Sequence, residues 1–122
     1  MLELIMQNSI SELNNVRDTN MQITYDGNEM LLVLQEIEFI LLSLHNIGSF
    51  YSDKDRREYE KETTEFIDNS LICERLAKMR TFLVSKFDLS EGVDEMDDVE
   101  RACENIQYWT KPGESSQEKW MK

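Results

Sequence analysis

Apolar residues recur along much of the chain at intervals of three and four, the spacing that gathers side chains on one face of an α-helix. Leu2, Ile5, Met6, Ile10, Leu13 and Val16 form the first such face and predict a helix over 2–16. Asn14-Asn15 weakens its end, and Arg17-Asp18-Thr19-Asn20 reads as a loop. Met21-Gln22-Ile23-Thr24-Tyr25 alternates apolar and polar instead, so 21–25 is read as an extended connection able to serve as a short edge strand. Asp26-Gly27-Asn28 then signals a turn, with Asn28 suited to cap the next helix and Glu29 to its first turn.

Met30, Val33, Leu34, Ile37, Ile40, Leu41, Leu44 and Ile47 make an unbroken apolar stripe, which Leu31, Leu32, Phe39 and Leu42 widen beyond one face. A helix this apolar must be covered on several sides. It is therefore the central helix of a bundle, or part of its surface is an interface between copies. Gly48 supplies its predicted stop. Ser52 is suited to cap a further helix, an otherwise charged one with Tyr59, Thr63, Phe66 and Ile67 along one side. A second strong stripe runs through Leu71, Ile72, Leu76, Met79, Phe82, Leu83 and Phe87. One unbroken helix over 53–87 would span about 50 Å. That is too long for a compact domain of this size, so a break is expected near Ser70. A last helix is expected over Val93–Thr110, with Met96, Val99, Cys103, Ile106 and Tyr108 or Trp109 inward, and Lys111-Pro112-Gly113 ends it.

The pattern thus predicts an all-α, single-domain bundle of four to five helices over 1–113, followed by a flexible polar tail over 114–122. Composition supports it: Gly (4) and Pro (1) are too scarce for the many tight turns of an all-β protein. Cys73 and Cys103 are expected as reduced, buried thiols of a cytoplasmic protein. The N-terminus lacks the basic region and long apolar run of a secretory signal. Gln35, Glu36, Glu38 and His45 interrupt the most apolar stretch, which argues against a membrane span.

Candidate chemistry is sparse. The one histidine, His45, sits on the apolar helix between Leu44 and Ile47 and reads as structural rather than catalytic. No glycine-rich phosphate loop occurs. Asp94-Glu95-Met96-Asp97-Asp98 has the composition of a calcium loop, but Met96 and Val99 stand where an oxygen ligand and a glycine are required. No catalytic residue, cofactor or metal site is therefore predicted.

Charge is the feature left to explain. The net charge is −12, with 25 acidic and 13 basic residues, which disfavours direct binding to nucleic acid or anionic lipid. It points instead to a basic protein partner. Residues 1–52 carry −6, 53–90 carry −1 and 91–122 carry −5. Glu91, Asp94, Glu95, Asp97, Asp98, Glu100 and Glu104 crowd the expected last helix, opposed only by Arg101, with Tyr108 and Trp109 close by in sequence. These nine residues are the candidate partner-binding surface, because a basic partner would relieve their repulsion and aromatic residues anchor interfaces. In size, charge and helicity the whole chain resembles the small acidic immunity proteins of bacterial toxin systems, including those of contact-dependent growth inhibition. The resemblance implies a cytoplasmic inhibitor of a basic toxin such as a nuclease, and it carries over no individual residues. The alternative is a homo-oligomeric helical scaffold or regulatory adaptor, motivated by the all-round apolar helix. A monomeric chain should cover that helix fully, whereas a tight dimer that hides it, seen by size exclusion with light scattering, would favour this alternative.

Overall fold

A computed structural model describes residues 16–113. All but the last residue of the helix expected over 2–16, and the tail at 114–122, lie outside the described residues. Four α-helices and one 3-10 turn, Asp18–Asn20, make up the described secondary structure, and no strand occurs among these residues. The helices are α1 (Gly27–Phe50), α2 (Arg56–Asn69), α3 (Ile72–Val84) and α4 (Asp98–Cys103). Segment 21–25 is an irregular connection, not an edge strand. The chain divides into two compact units: Ile23–Lys86, holding α1 to α3, and the flanking segments, of which 16–22 and 87–113 are described.

In the three-helix unit, α1 begins earlier than its expected cap. Asp26, not Asn28, accepts from the Glu29 backbone N–H at 3.0 Å. Gly48 does not stop the helix, which continues to Phe50. The end is set two residues later. The Lys54 ammonium donates to the Phe50 carbonyl at 2.8 Å and lies 4.1 Å from the centre of its ring, while the Ser52 hydroxyl donates to Ser49 O at 2.9 Å. Asp55 then caps α2 in place of Ser52, accepting from Arg57 N at 2.9 Å. The expected break near Ser70 is present. Ser70 closes α2, and Leu71 takes a left-handed conformation (φ 54°) that turns the chain into α3.

All three helices touch one another, yet their shared core is thin. Val33, Ile72 and Met79 are its buried apolar residues. Around them Phe39 meets Phe66 at 5.6 Å, and Tyr25 packs on Phe82 at 5.5 Å while its hydroxyl donates to the Leu83 carbonyl. The carboxylate of Glu36, on the apolar helix, is met by Arg75 of α3 with two bonds of 2.8 and 3.1 Å. The same guanidinium lies over the Phe39 ring at 4.6 Å and donates through Nε to Ser70 O at 2.8 Å. Arg75 therefore joins α1 to α3 and stitches the α2–α3 turn.

Cys73 is exposed and Cys103 half-buried, both as free thiols, so the expectation of two buried thiols fails. His45 is exposed rather than packed in a core. The exposure of His45 has a structural cause. The side of α1 that packs on α2 and α3 carries Val33, Ile40, Ser43 and Ile47, and two short helices cannot cover the rest of it.

Candidate functional site

The acidic segment folds differently from the long helix expected over Val93–Thr110. Only Asp98–Cys103 is helical. Asp97 accepts from Glu100 N at 2.8 Å, and the Glu100 carboxylate reaches back to Asp97 N at 3.2 Å, a capping box that starts the helix at residue 98. Upstream, Gly92 N donates to Met96 O at 2.9 Å, and Glu95 has φ 64°, so 92–96 is a closed turn. Arg101 holds this turn in place. Its Nε and Nη2 donate to the two Asp94 oxygens at 2.7 and 2.8 Å, and Nη2 also reaches Met96 O at 2.9 Å. A side chain at 92 would meet that guanidinium, since a Cβ there lies 2.9 Å from Arg101 Nη2.

Asp98 is buried and forms the hub of this unit. Its Oδ2 accepts from Arg17 N at 2.9 Å and from Asn20 Nδ2 at 2.7 Å, and its Oδ1 accepts from Arg101 Nη1 at 2.8 Å. Asn20, also buried, donates to the Asp88 carbonyl and accepts from Asp88 N at 2.8 Å. Arg17 further donates to the carbonyls of Ser90 and Glu91 at 3.1 and 2.8 Å. These bonds favour the charged carboxylates. Bonds from Ser90, then from Thr19, lower Asp88 to about 2. The Arg101 side chain holds Asp94 well below the ordinary range and is itself pushed up by Asp94 first and Asp98 second. Asp98 is lowered chiefly by Asn20 and the Arg17 backbone, against the opposing effect of its burial.

Of the nine candidate residues, then, Asp94, Asp97, Asp98 and Glu100 have intramolecular partners. All four build the segment: Asp98 is buried and Asp97 half-buried, while Asp94 and Glu100 make their bonds at the exposed surface. Glu91, Glu95 and Glu104 are exposed and enter no ion pair among the described residues. Tyr108 and Trp109 lie beyond α4 at 60% and 66% exposure. Among the described residues no group of three or more His, Cys, Asp or Glu is placed to hold a metal ion.

The larger uncovered feature is α1. Leu34, Ile37, Leu41 and Leu44 are 54%, 45%, 60% and 37% exposed, and Leu31 and Leu42 are exposed beside them. On a helical projection the first four share one stripe, on the flank away from Ser43. Glu38 and His45 interrupt the apolar surface along its outer edge, with Gln35 and Ser49 beside Leu42. The helix is long and apolar enough, by length and composition, to cross a membrane. Sequence reasoning saw the excess of apolar residues but could not say which remained uncovered. It missed Arg17, Asn20 and Asp88 altogether. The one available signal was that Arg17 is the only base in residues 1–52.

No family model, no curated protein and no solved structure matches this chain.

Proposed function

We propose that this chain is a binding protein without chemistry of its own, a helical adaptor that works by docking the open face of α1 on another polypeptide. The observation that carries this reading is a row of half-exposed leucines, with Ile37 among them, along a helix that its own unit covers on one side only. Burying the exposed half of such a side chain contributes about 1 kcal/mol. Six of them on this helix, meeting a comparable apolar surface, give about 12 kcal/mol, against an association cost of about 4–15 kcal/mol. The gain is of the same order as the cost, so the face can hold a polypeptide whose own apolar surface matches it well. A bilayer is the poorer occupant. Glu38 lies mid-helix on the exposed side, where a carboxylate costs about 2.5–3.5 kcal/mol in hydrocarbon, whereas a protein can supply a donor.

The test is a charged pair in the stripe, Leu34→Lys/Leu41→Lys. It should leave helicity by circular dichroism unchanged and abolish association, read as particle mass by light scattering or as capture of a purified partner. Association of undiminished strength in the variant would remove the α1 face from the function.

A second reading is supported by a different observation, the exposed Glu91, Glu95 and Glu104, which enter no ion pair among the described residues, with the exposed Tyr108 and Trp109. These suit a cytoplasmic inhibitor of immunity type that captures a positively charged toxin or nuclease domain. Reversing the three glutamates to lysine should slow capture of such a domain at low salt, with little effect on folding because all three side chains face solvent. An unchanged association rate would refute it. The two readings are compatible, since they use different surfaces.

A further inference from the structure

We infer that the occupant of the open α1 face is a second copy of this chain, docked antiparallel about a two-fold axis with Ile37 of each copy seated over Gly48 of the other. The inference rests on the adaptor reading and names its partner. Met30, Leu34, Ile37, Leu41, Leu44 and Gly48 succeed one another at alternating intervals of four and three, the spacing of a coiled-coil seam. One edge of that seam, Val33, Ile40 and Ile47, is spent on the three-helix packing. The other edge, with Glu38 and His45, is exposed.

Gly48 decides orientation and register. It lies inside the helix, where glycine is the poorest residue after proline. It is half-buried and lines a cavity with Tyr51, Arg56 and Tyr59, yet no described atom lies within 4 Å of where its Cβ would stand, so no close approach within the unit calls for a glycine. A parallel pair would set Gly48 against Gly48 and leave a gap in the seam. An antiparallel pair with Ile37 level with Leu41 would bring the two Glu38 carboxylates together near the axis. Moving the register by one heptad puts Leu41 level with Leu44 of the second copy and lets Ile37 fill the space above its Gly48. Like edges meet in an antiparallel pair, so Glu38 then faces His45 of the second copy, and the two-fold axis repeats both contacts. The carboxylate thus gains an imidazole donor, and the glycine a reason to be there.

The test combines particle mass with substitutions that a nonspecific apolar contact would not distinguish. The parent protein should show a concentration-dependent doubling of mass by sedimentation. Gly48→Leu adds apolar surface and helix propensity, so a nonspecific contact would tighten. Here it fills the seat of Ile37, and association should weaken at least tenfold with helicity retained. Glu38→Lys should weaken association several-fold, and Glu38→Lys/His45→Glu should restore it. In a Cys73→Ser/Cys103→Ser background, Leu41→Cys mixed with Leu44→Cys should cross-link, while Ile37→Cys alone should not. Undiminished association of Gly48→Leu, or efficient Ile37→Cys self-linkage, overturns the arrangement. A parent that stays at the mass of one chain at all concentrations overturns the second copy. An apolar fluorescent dye then separates the two failures. Dye bound by the parent but not by Leu34→Lys/Leu41→Lys leaves the face open for another polypeptide, whereas dye bound by neither removes the adaptor reading as well.

Discussion

Replacing Asp98 by alanine is the sharpest perturbation of the C-terminal unit. The carboxylate is buried and accepts three bonds, from Asn20 Nδ2, Arg17 N and Arg101 Nη1, at 2.7–2.9 Å. Its removal leaves the Arg17 backbone N–H without its acceptor, takes from the buried Asn20 amide one of its two acceptors (the Asp88 carbonyl remains), and deprives a guanidinium of one of its two carboxylates. Breaking a buried pair by deleting one member costs about 3–5 kcal/mol. Arg101 retains Asp94 and the Met96 carbonyl, which places the loss near the lower end, about 3 kcal/mol. A loss of that size lowers the protection of local amides by about two orders of magnitude. Native-state hydrogen exchange read at Arg17, Asp88 and Arg101, whose N–H groups are bonded within this unit, supplies the assay. Amides in the interior of α1 serve for comparison. A change of less than tenfold at Asp88 and Arg101 would show that Asp98 is not the hub, and that the acidic segment is held by something else.

Acid should loosen the same unit. Asp88, Asp94 and Asp98 all ionise more readily when folded. Their bonds therefore stabilise the unit fully above the ordinary carboxylate range, and that contribution falls away as pH drops from about 4 toward 2 and below. Exchange protection that stays flat across that window would contradict it. Leu71→Gly should stabilise the three-helix unit by about 1 kcal/mol, because glycine adopts φ 54° without the Cβ penalty, as read from the urea midpoint; destabilisation would mean that the exposed leucine packs on something. The Thr63 hydroxyl is buried without a hydrogen-bond partner among the described residues, so Thr63→Val should raise stability by about 1 kcal/mol, and a loss would reveal a partner for that oxygen.

The helices themselves were legible in the chain because their periodicity is strong. The stripes of α1 and α3 and the break at Ser70 come from spacing and length alone. Their ends were harder to read. Asn28, Gly48 and Ser52 each had the right residue type for an end, yet Asp26, Lys54 and Asp55 make the bonds that set them, since several adjacent residues can cap and tertiary contacts choose among them. The acidic segment misled for a different reason. Met96, Val99, Cys103 and Ile106 keep helical spacing, but a single arginine binding Asp94 and Met96 draws 92–96 into a turn. That contact depends on side-chain reach, which periodicity does not encode. The same limit hid the bonds from Arg17 and Asn20 to Asp98, about eighty residues apart. The uncovered face of α1 was half visible. A helix apolar all round demands cover on several sides, and only the packing of α2 and α3 reveals which side is left without it.

The openness of that side can be measured at Leu41. With Cys73→Ser and Cys103→Ser removing the native thiols, Leu41→Cys places one reporter on the exposed stripe, and its reaction with a maleimide is timed on the native protein at high dilution. An uncovered helix face predicts a rate within about tenfold of an unfolded control. A thiol protected a hundredfold or more at every dilution would mean that the chain covers α1 itself, and no docking surface would remain.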